Sequence, residues 1–168
     1  MDIRILTKDD ASNYLAIRHR AVKEEPESFL PTYEEERQKD VDTYEEMLAD
    51  ALSKTYGVFD NHELVGVTTV VQNGHEKMKH IAQIVGVYLA PEHRGKGYSK
   101  AMFERIVNDA RQNDELEQLR LSVVDTMVPA IKLYERMGFE ILCPDPKVMK
   151  MPDGKYLNEL QMICFLTS

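Results

Sequence analysis

Residues 85–99 read Val-Gly-Val-Tyr-Leu-Ala-Pro-Glu-His-Arg-Gly-Lys-Gly-Tyr-Ser: an apolar strand, a turn, spaced glycines and a helix start. Such a junction is suited to hold an anion. The first turn of a helix leaves amide N–H groups without intrahelical partners, and the helix dipole puts partial positive charge at the same end. Gly95 and Gly97 lack a Cβ, so the chain can adopt left-handed conformations in which successive N–H groups converge on phosphate oxygens. Arg94 and Lys96 add cationic side chains. Ala101, Met102, Ile106, Val107 and Ala110 then recur at helical intervals among charged residues, which predicts a helix over Lys100–Arg111.

Spacing separates the phosphate loops that could account for this segment. A P-loop needs Gly-x-x-x-x-Gly-Lys, yet the fifth residue after Gly86 is Pro91. A dinucleotide fingerprint needs a third glycine where Lys100 stands. Arg94-Gly95-Lys96-Gly97-Tyr98-Ser99 instead resembles the Gln/Arg-x-x-Gly-x-Gly/Ala motif of the GNAT-type N-acetyltransferases, with Ser99 as a small departure at the last position. A second block supports the resemblance. Leu121-Ser122-Val123, followed by Pro129-Ala130-Ile131-Lys132-Leu133-Tyr134-Glu135-Arg136-Met137-Gly138-Phe139, is similar to that family's strand, helix and closing Leu-Tyr-x-x-x-Gly-Phe. Where the family usually carries Asn, contacting the pantetheine arm or substrate, this chain has Met127.

The resemblance implies an α/β (α+β) GNAT fold: a mixed, mostly antiparallel central sheet of six to seven strands with about four helices. It implies an acetyl-CoA cleft between the fourth and fifth strands. Acetyl-CoA would be bound by Val87, Tyr88 and Leu89 along the strand, by Arg94, Gly95, Lys96, Gly97, Tyr98 and Ser99 at the pyrophosphate, and by Met127, Ala130 and Tyr134. The partners implied are acetyl-CoA and an amine acceptor, with no metal. Tyr134 is the expected general acid toward the departing thiolate, because a phenol stays protonated at neutral pH and can hydrogen-bond sulfur. A backbone N–H of Val87–Leu89 would stabilise the oxyanion. No motif position fixes a general base. His80 has the most suitable intrinsic pKa near the central strand, and Glu34 and Glu35 are further candidates. A non-catalytic acyl-CoA sensor of the same fold, or a transferase using another acyl-CoA, stays open.

Composition bounds these readings. A chain of 168 residues suits one domain, spanning 1–168, because a core of this size buries roughly 70% of the unfolded surface. No apolar run reaches the ~20 residues of a membrane span, and Met1–Asp10 lacks the layout of a signal peptide, so a cytoplasmic protein is expected. Cys143 and Cys164 are too few for a disulfide framework and read as core or strand residues. A net charge of -8 argues against nucleic-acid binding. Residues 24–50 hold eleven acids against Arg37 and Lys39. They read either as solvated helix faces or as a wall that attracts a cationic amine.

The remaining elements position these groups. Ile3–Leu6 alternates as a strand, and Thr7–Asp10 caps a helix running to about Val22. A second helix is predicted over Thr43–Ser53, then a hairpin of Tyr56–Phe59 and Leu64–Val71 turning at Asp60-Asn61-His62. Ile81–Leu89 is the central strand, and its interior Gly86 predicts a bulge. Leu119–Val124, a helix over Val128–Met137, and strands at Phe139–Leu142 and Tyr156–Leu166 complete the order. The long last strand would join the sheet beside the cleft or meet a partner subunit, which leaves a homodimer open.

Overall fold

Alternating apolar residues build seven strands: β1 (Asp2–Ile5), β2 (Ser53–Asp60), β3 (Glu63–Gln72), β4 (Ile81–Leu89), β5 (Gln118–Val124), β6 (Glu140–Lys150) and β7 (Tyr156–Phe165). In the computed structural model, which describes residues 1–167, they form one sheet in the order β1-β2-β3-β4-β5-β7-β6. Only β4 and β5 run parallel; the other neighbours are antiparallel. Helices α1 (Ala11–Glu24), α2 (Tyr33–Glu36), α3 (Val41–Ala49), α4 (Tyr98–Arg111) and α5 (Val128–Arg136) complete a mixed α/β architecture.

Both sheet faces are covered. On one, Met102, Phe103 and Ile106 of α4 and Tyr134 of α5 belong to the same core as Ile84, Leu119, Leu121 and Met162. On the other, Tyr14, Ala21 and Val22 of α1 and Tyr44 of α3 join Phe59, Val67 and Tyr88. Each large apolar side chain buried this way contributes ~1.5–3 kcal/mol. The two cores hold the sheet between two helical layers.

Several boundaries differ from the sequence expectation for identifiable reasons. α3 begins at Val41 because the Asp40 carboxylate accepts from the Thr43 N–H at 3.0 Å. It ends at Ala49 because Asp50 accepts from the Leu52 N–H at 3.0 Å and delivers Ser53 to β2. The single turn α2 went unforeseen, although Thr32 and Glu35 form a reciprocal capping box. β6 extends to Lys150, past Pro144 and Pro146, because it is the sheet's edge and an edge strand can do without some donors. The last strand, β7, joins the sheet between β5 and β6, beside the parallel pair, in line with one of the two expectations for it. Cys164 is buried, whereas Cys143 is an exposed strand residue.

One carboxylate is buried under the α1–α3 layer. Glu36 has no exposed surface. It accepts from Arg18 Nε at 3.0 Å, Tyr44 Oη at 2.7 Å and Lys39 Nζ at 2.9 Å. Burial acts to raise its pKa, but the bonds from Arg18, Lys39 and Tyr44 outweigh it and hold the carboxyl at about 2, below its ordinary 4.5. Ionised Glu36 therefore contributes stability that is complete above about 4.5 and lost as the pH falls toward about 2. Glu36→Gln is expected to cost about 3–5 kcal/mol at neutral pH and to remove that acid-labile component. Urea titrations across the acidic range check this, and equal acid sensitivity in variant and parent would contradict it.

Candidate active site

The parallel pair β4 and β5 is hydrogen-bonded only from Ile81–Ile84 to Gln118–Leu121. Beyond that the strands diverge: Val85–Leu89 keeps only β3 as a neighbour, and Ser122–Val124 keeps only β7. The divergence begins at a bulge. Val67 pairs with Tyr88 and Thr69 with Val85, so Gly86 and Val87 together oppose Thr68. Gly86 has φ +63°, and the Thr68 hydroxyl donates to the Val85 carbonyl at 3.0 Å. A bulge sharpens the local twist, and here it turns one edge of β4 toward the wedge with no strand to pair it. The wedge holds a cavity of about 470 Å³. Val87 and Leu89 line it on one side, Ser122 and Val124 on the other, and Tyr134 contributes to its wall.

The anion nest lies at the same end. Gly95 has φ +76° and Gly97, the N-cap of α4, has φ +82°. A Cβ at either would meet no protein atom within 4 Å, so the glycines answer a conformational demand and leave the loop's concave side open. The amide N–H groups from Gly95 through Lys100 find no acceptor among the described residues. Two anchors brace the loop. Asp60 accepts from Tyr98 Oη at 3.0 Å and lies 3.1 Å from His93 Nδ1. Arg20 forms a two-pronged pair with Glu92 at 2.7 Å, tying α1 to the loop. Arg94 donates from Nε to the Leu89 carbonyl at 2.9 Å and pairs with Glu25 through Nη2. An arginine already directed at the loop, beside a row of free amides, fits a pyrophosphate.

Tyr134 is 6% exposed, its ring 5.0 Å from Phe103 and 6.2 Å from Phe139 between centroids. Its hydroxyl meets no protein hydrogen-bond partner among the described residues. Burial, with a smaller effect from Glu25, pushes its pKa up to about 12. The phenol is then a hydrogen-bond donor throughout the neutral range and a weaker acid than an exposed tyrosine. Met127 caps α5, lines the cavity, and accepts at Sδ from Ser28 Oγ at 3.6 Å. Ala130 and Ser99 also line it.

The other nominated residues divide. Tyr88 sends its ring into the α1 core and its hydroxyl to Glu24 at 2.6 Å, so only its backbone reaches the cleft. Tyr98 is likewise committed to Asp60, and Lys96 is exposed with its ammonium 5.9 Å from the Tyr98 ring. His80 precedes β4 at the end away from the bulge, where its carbonyl accepts from Glu117 and Gln118, and it does not line the cavity. Glu34 pairs with Arg37 at 2.7 Å, and Glu35 accepts from Thr32 N in its own cap. Neither lines the cavity.

The family model for the acetyltransferase (GNAT) family matches residues 17–139. The chain belongs to that family. GNAT structures cover it almost end to end. An acetyltransferase of the GNAT family from Streptococcus pneumoniae is 18% identical over 99% of each chain, with a TM-score of 0.88. A ribosomal-protein-alanine N-acetyltransferase from Brucella melitensis is 21% identical over 98% of this chain and 99% of its own, at 0.83. A putative acetyltransferase from Salmonella typhimurium, solved with acetyl-CoA, is 20% identical over 100% of this chain and 95% of its own, at 0.81. No functionally curated protein matches the sequence significantly.

In this GNAT protein the cleft also contains residues that motif reasoning missed. Glu25, Glu27 and Ser28 enter from the segment after α1, and Glu159 enters from β7. Glu159 stands opposite Val124 and Asp145 in register, and burial followed by the Asp145 charge raises its carboxyl above the ordinary range. Glu159 is the single acid within Tyr156–Phe165, on the strand face opposite the core residues Leu160, Met162 and Cys164, so alternation alone gave no signal for it. The acidic segment, in contrast, is largely spent on structure. Glu24 pairs with Arg20, Glu25 with Arg94, Glu34 with Arg37 and Glu36 with Arg18 and Lys39. No helix among the described residues is long and apolar enough to cross a membrane.

Proposed function

We propose that this chain, as a single domain, is an N-acetyltransferase that moves the acetyl group of acetyl-CoA to a primary amine by direct attack on the thioester. One observation carries the reading: the unpaired edge of β4 runs into the unpaired amides of Gly95–Lys100, with Tyr134 buried beside both. Acetyl-CoA supplies an activated acyl thioester together with a pyrophosphate handle. The amides of the α4 N-terminus and Arg94 hold the phosphates. The Val87–Leu89 edge aligns the pantetheine arm and presents a fixed N–H to the carbonyl oxygen, a dipole that needs no reorganisation as charge develops. The Tyr134 hydroxyl donates to the sulfur as it takes up negative charge.

Glu159 receives the proton of the acceptor ammonium, a task supported by its place in the wall and its raised pKa. Glu159→Gln is expected to lower kcat/KM about 10²-fold and to remove the acidic limb of its pH profile. Acetyl-CoA affinity should stay within about threefold. An unchanged acidic limb would exclude Glu159 as the base. The same reading places the enzyme in the cytoplasm and admits a homodimer, whose contact the exposed Ile141 and Leu142 of β6 could supply. The reading as a whole is tested by coupling a free-thiol reagent to acetyl-CoA across amino acids, polyamines, aminoglycosides and peptides. Amine-dependent thiol release is expected. Tight acetyl-CoA binding without release on any acceptor would instead identify a sensor.

A further inference from the structure

The cleft that holds Glu159 continues into a second, outer cavity of about 980 Å³. Glu27, Val124 and Met127 line both and so mark the passage between them. The outer cavity lies between the segment after α1 and the hairpin of β6 and β7. Each of these walls presents an apolar side chain to water: Leu30 on the first is 89% exposed and Val148 on the second is 41% exposed. A ligand body that covered both would gain the free energy of removing apolar surface from water. Charge changes along the same path. At its inner end Glu27 and Glu159 have no hydrogen-bond or ion-pair partner among the described residues. At its outer end the β6–β7 turn brings Lys150 and Lys155, neither with an acid partner among the described residues. Lys155 stands four residues before Glu159 in the chain, about 13 Å away along extended backbone. The acids at that end are engaged. Asp153 accepts from the Lys155 amide at 2.9 Å, and Glu34 pairs with Arg37 at 2.7 Å.

We propose that the acceptor is a monoamine with an extended apolar body, its amino group beside Glu27 and Glu159 and its body in the outer cavity. This rests on the N-acetyltransferase reading above and names its substrate class. The two unpaired carboxylates attract the ammonium to the inner end, where it must react. The apolar body then covers Leu30 and Val148. A second ammonium at the far end of the same chain would meet Lys150 and Lys155, and like charges brought together at an interface are strongly disfavoured. A carboxylate on the amine-bearing carbon would be repelled in the same way by Glu27 and Glu159. Both polyamines and α-amino acids are therefore poor matches.

The test measures thiol release with straight-chain primary amines from butylamine to octylamine, with octane bearing an amine at each end, and with the α-amino acid of the same chain. In parallel, the thermal shift each produces is measured with coenzyme A present. In the parent, kcat/KM is expected to rise about two- to fourfold per added methylene. Octylamine should exceed both the diamine and the amino acid at least about tenfold. In Lys150→Glu/Lys155→Glu, at two exposed positions, the diamine should draw level with octylamine. Leu30→Ser should flatten the rise per methylene, and its exposure leaves the fold intact. No rise with chain length, or equal use of the diamine or the amino acid by the parent, would overturn the proposal and leave the N-acetyltransferase reading standing. Absence of both release and thermal shift with every alkylamine would overturn it as well. A thermal shift that grows with chain length without thiol release would support the outer cavity as the binding site while contradicting the catalytic reading.

Discussion

Tyr134→Phe is expected to lower kcat about 10²- to 10³-fold while leaving acetyl-CoA affinity within about threefold. The split follows from where the hydroxyl sits. The ring is held by Phe103 and Phe139 and belongs to the α4–α5 core, and phenylalanine fills the same volume. Only the donor is lost. In the ground state the sulfur of a thioester is a poor acceptor, so the hydroxyl contributes little to binding. As the C–S bond breaks the sulfur gains charge, and a donor fixed in a dry wall then counts in the transition state alone. A pKa pushed up to about 12 makes the phenol a donor and a weak acid, so under the proposed mechanism it would stabilise the thiolate by donation. The rate should therefore not depend on tyrosine ionisation across the neutral range. An equal fall in affinity and kcat in the variant would mark Tyr134 as a packing residue.

Arg94→Ala should weaken coenzyme A and acetyl-CoA alike, by about 10- to 100-fold, through loss of charge-assisted bonds to phosphate. The side chain reaches the site along a defined path, with Nε on the Leu89 carbonyl and Nη2 on Glu25. A pyrophosphate in the α4 nest would compete with Glu25 for the guanidinium. The substitution should leave turnover of acetyl-pantetheine, which lacks the phosphates, within a few-fold of the parent. Calorimetric titration with coenzyme A reads the first effect and thiol release from acetyl-pantetheine the second. Unaltered coenzyme A affinity would remove Arg94 from the phosphate site.

Much of this was legible in the sequence because it rests on local backbone demands. Gly95 and Gly97 do adopt left-handed conformations, Gly86 does sit in a bulge, and Asn61 and His62 turn the β2–β3 hairpin with φ of +49° and +68°. The family resemblance implied the mixed sheet, and the helical pattern after Met127 the helix that carries Tyr134. What stayed hidden depends on partners distant in sequence. Glu159 is one acid on the last strand until β7 inserts beside β5 and brings it opposite Val124. Arg18 is one charge on an amphipathic helix until α2 supplies Glu36 and β4 supplies a glycine at the contact. The acidic run of residues 24–50 could be read as solvated faces or as a wall for cations, because charge counting cannot see which acids are held in ion pairs. His80 looked basic and near, but strand direction carries it to the wrong end of β4.

The most direct measurement is quantitative thiol release from acetyl-CoA in the presence of amines, with the product identified by mass spectrometry, in the parent protein and Tyr134→Phe side by side. The account predicts one acetylated amine per thiol released by the parent. In the variant it predicts at least about 10²-fold slower release, with the protein still saturated at similar acetyl-CoA concentrations. Equal rates in the two proteins, or thiol release without any acetylated amine, would contradict it.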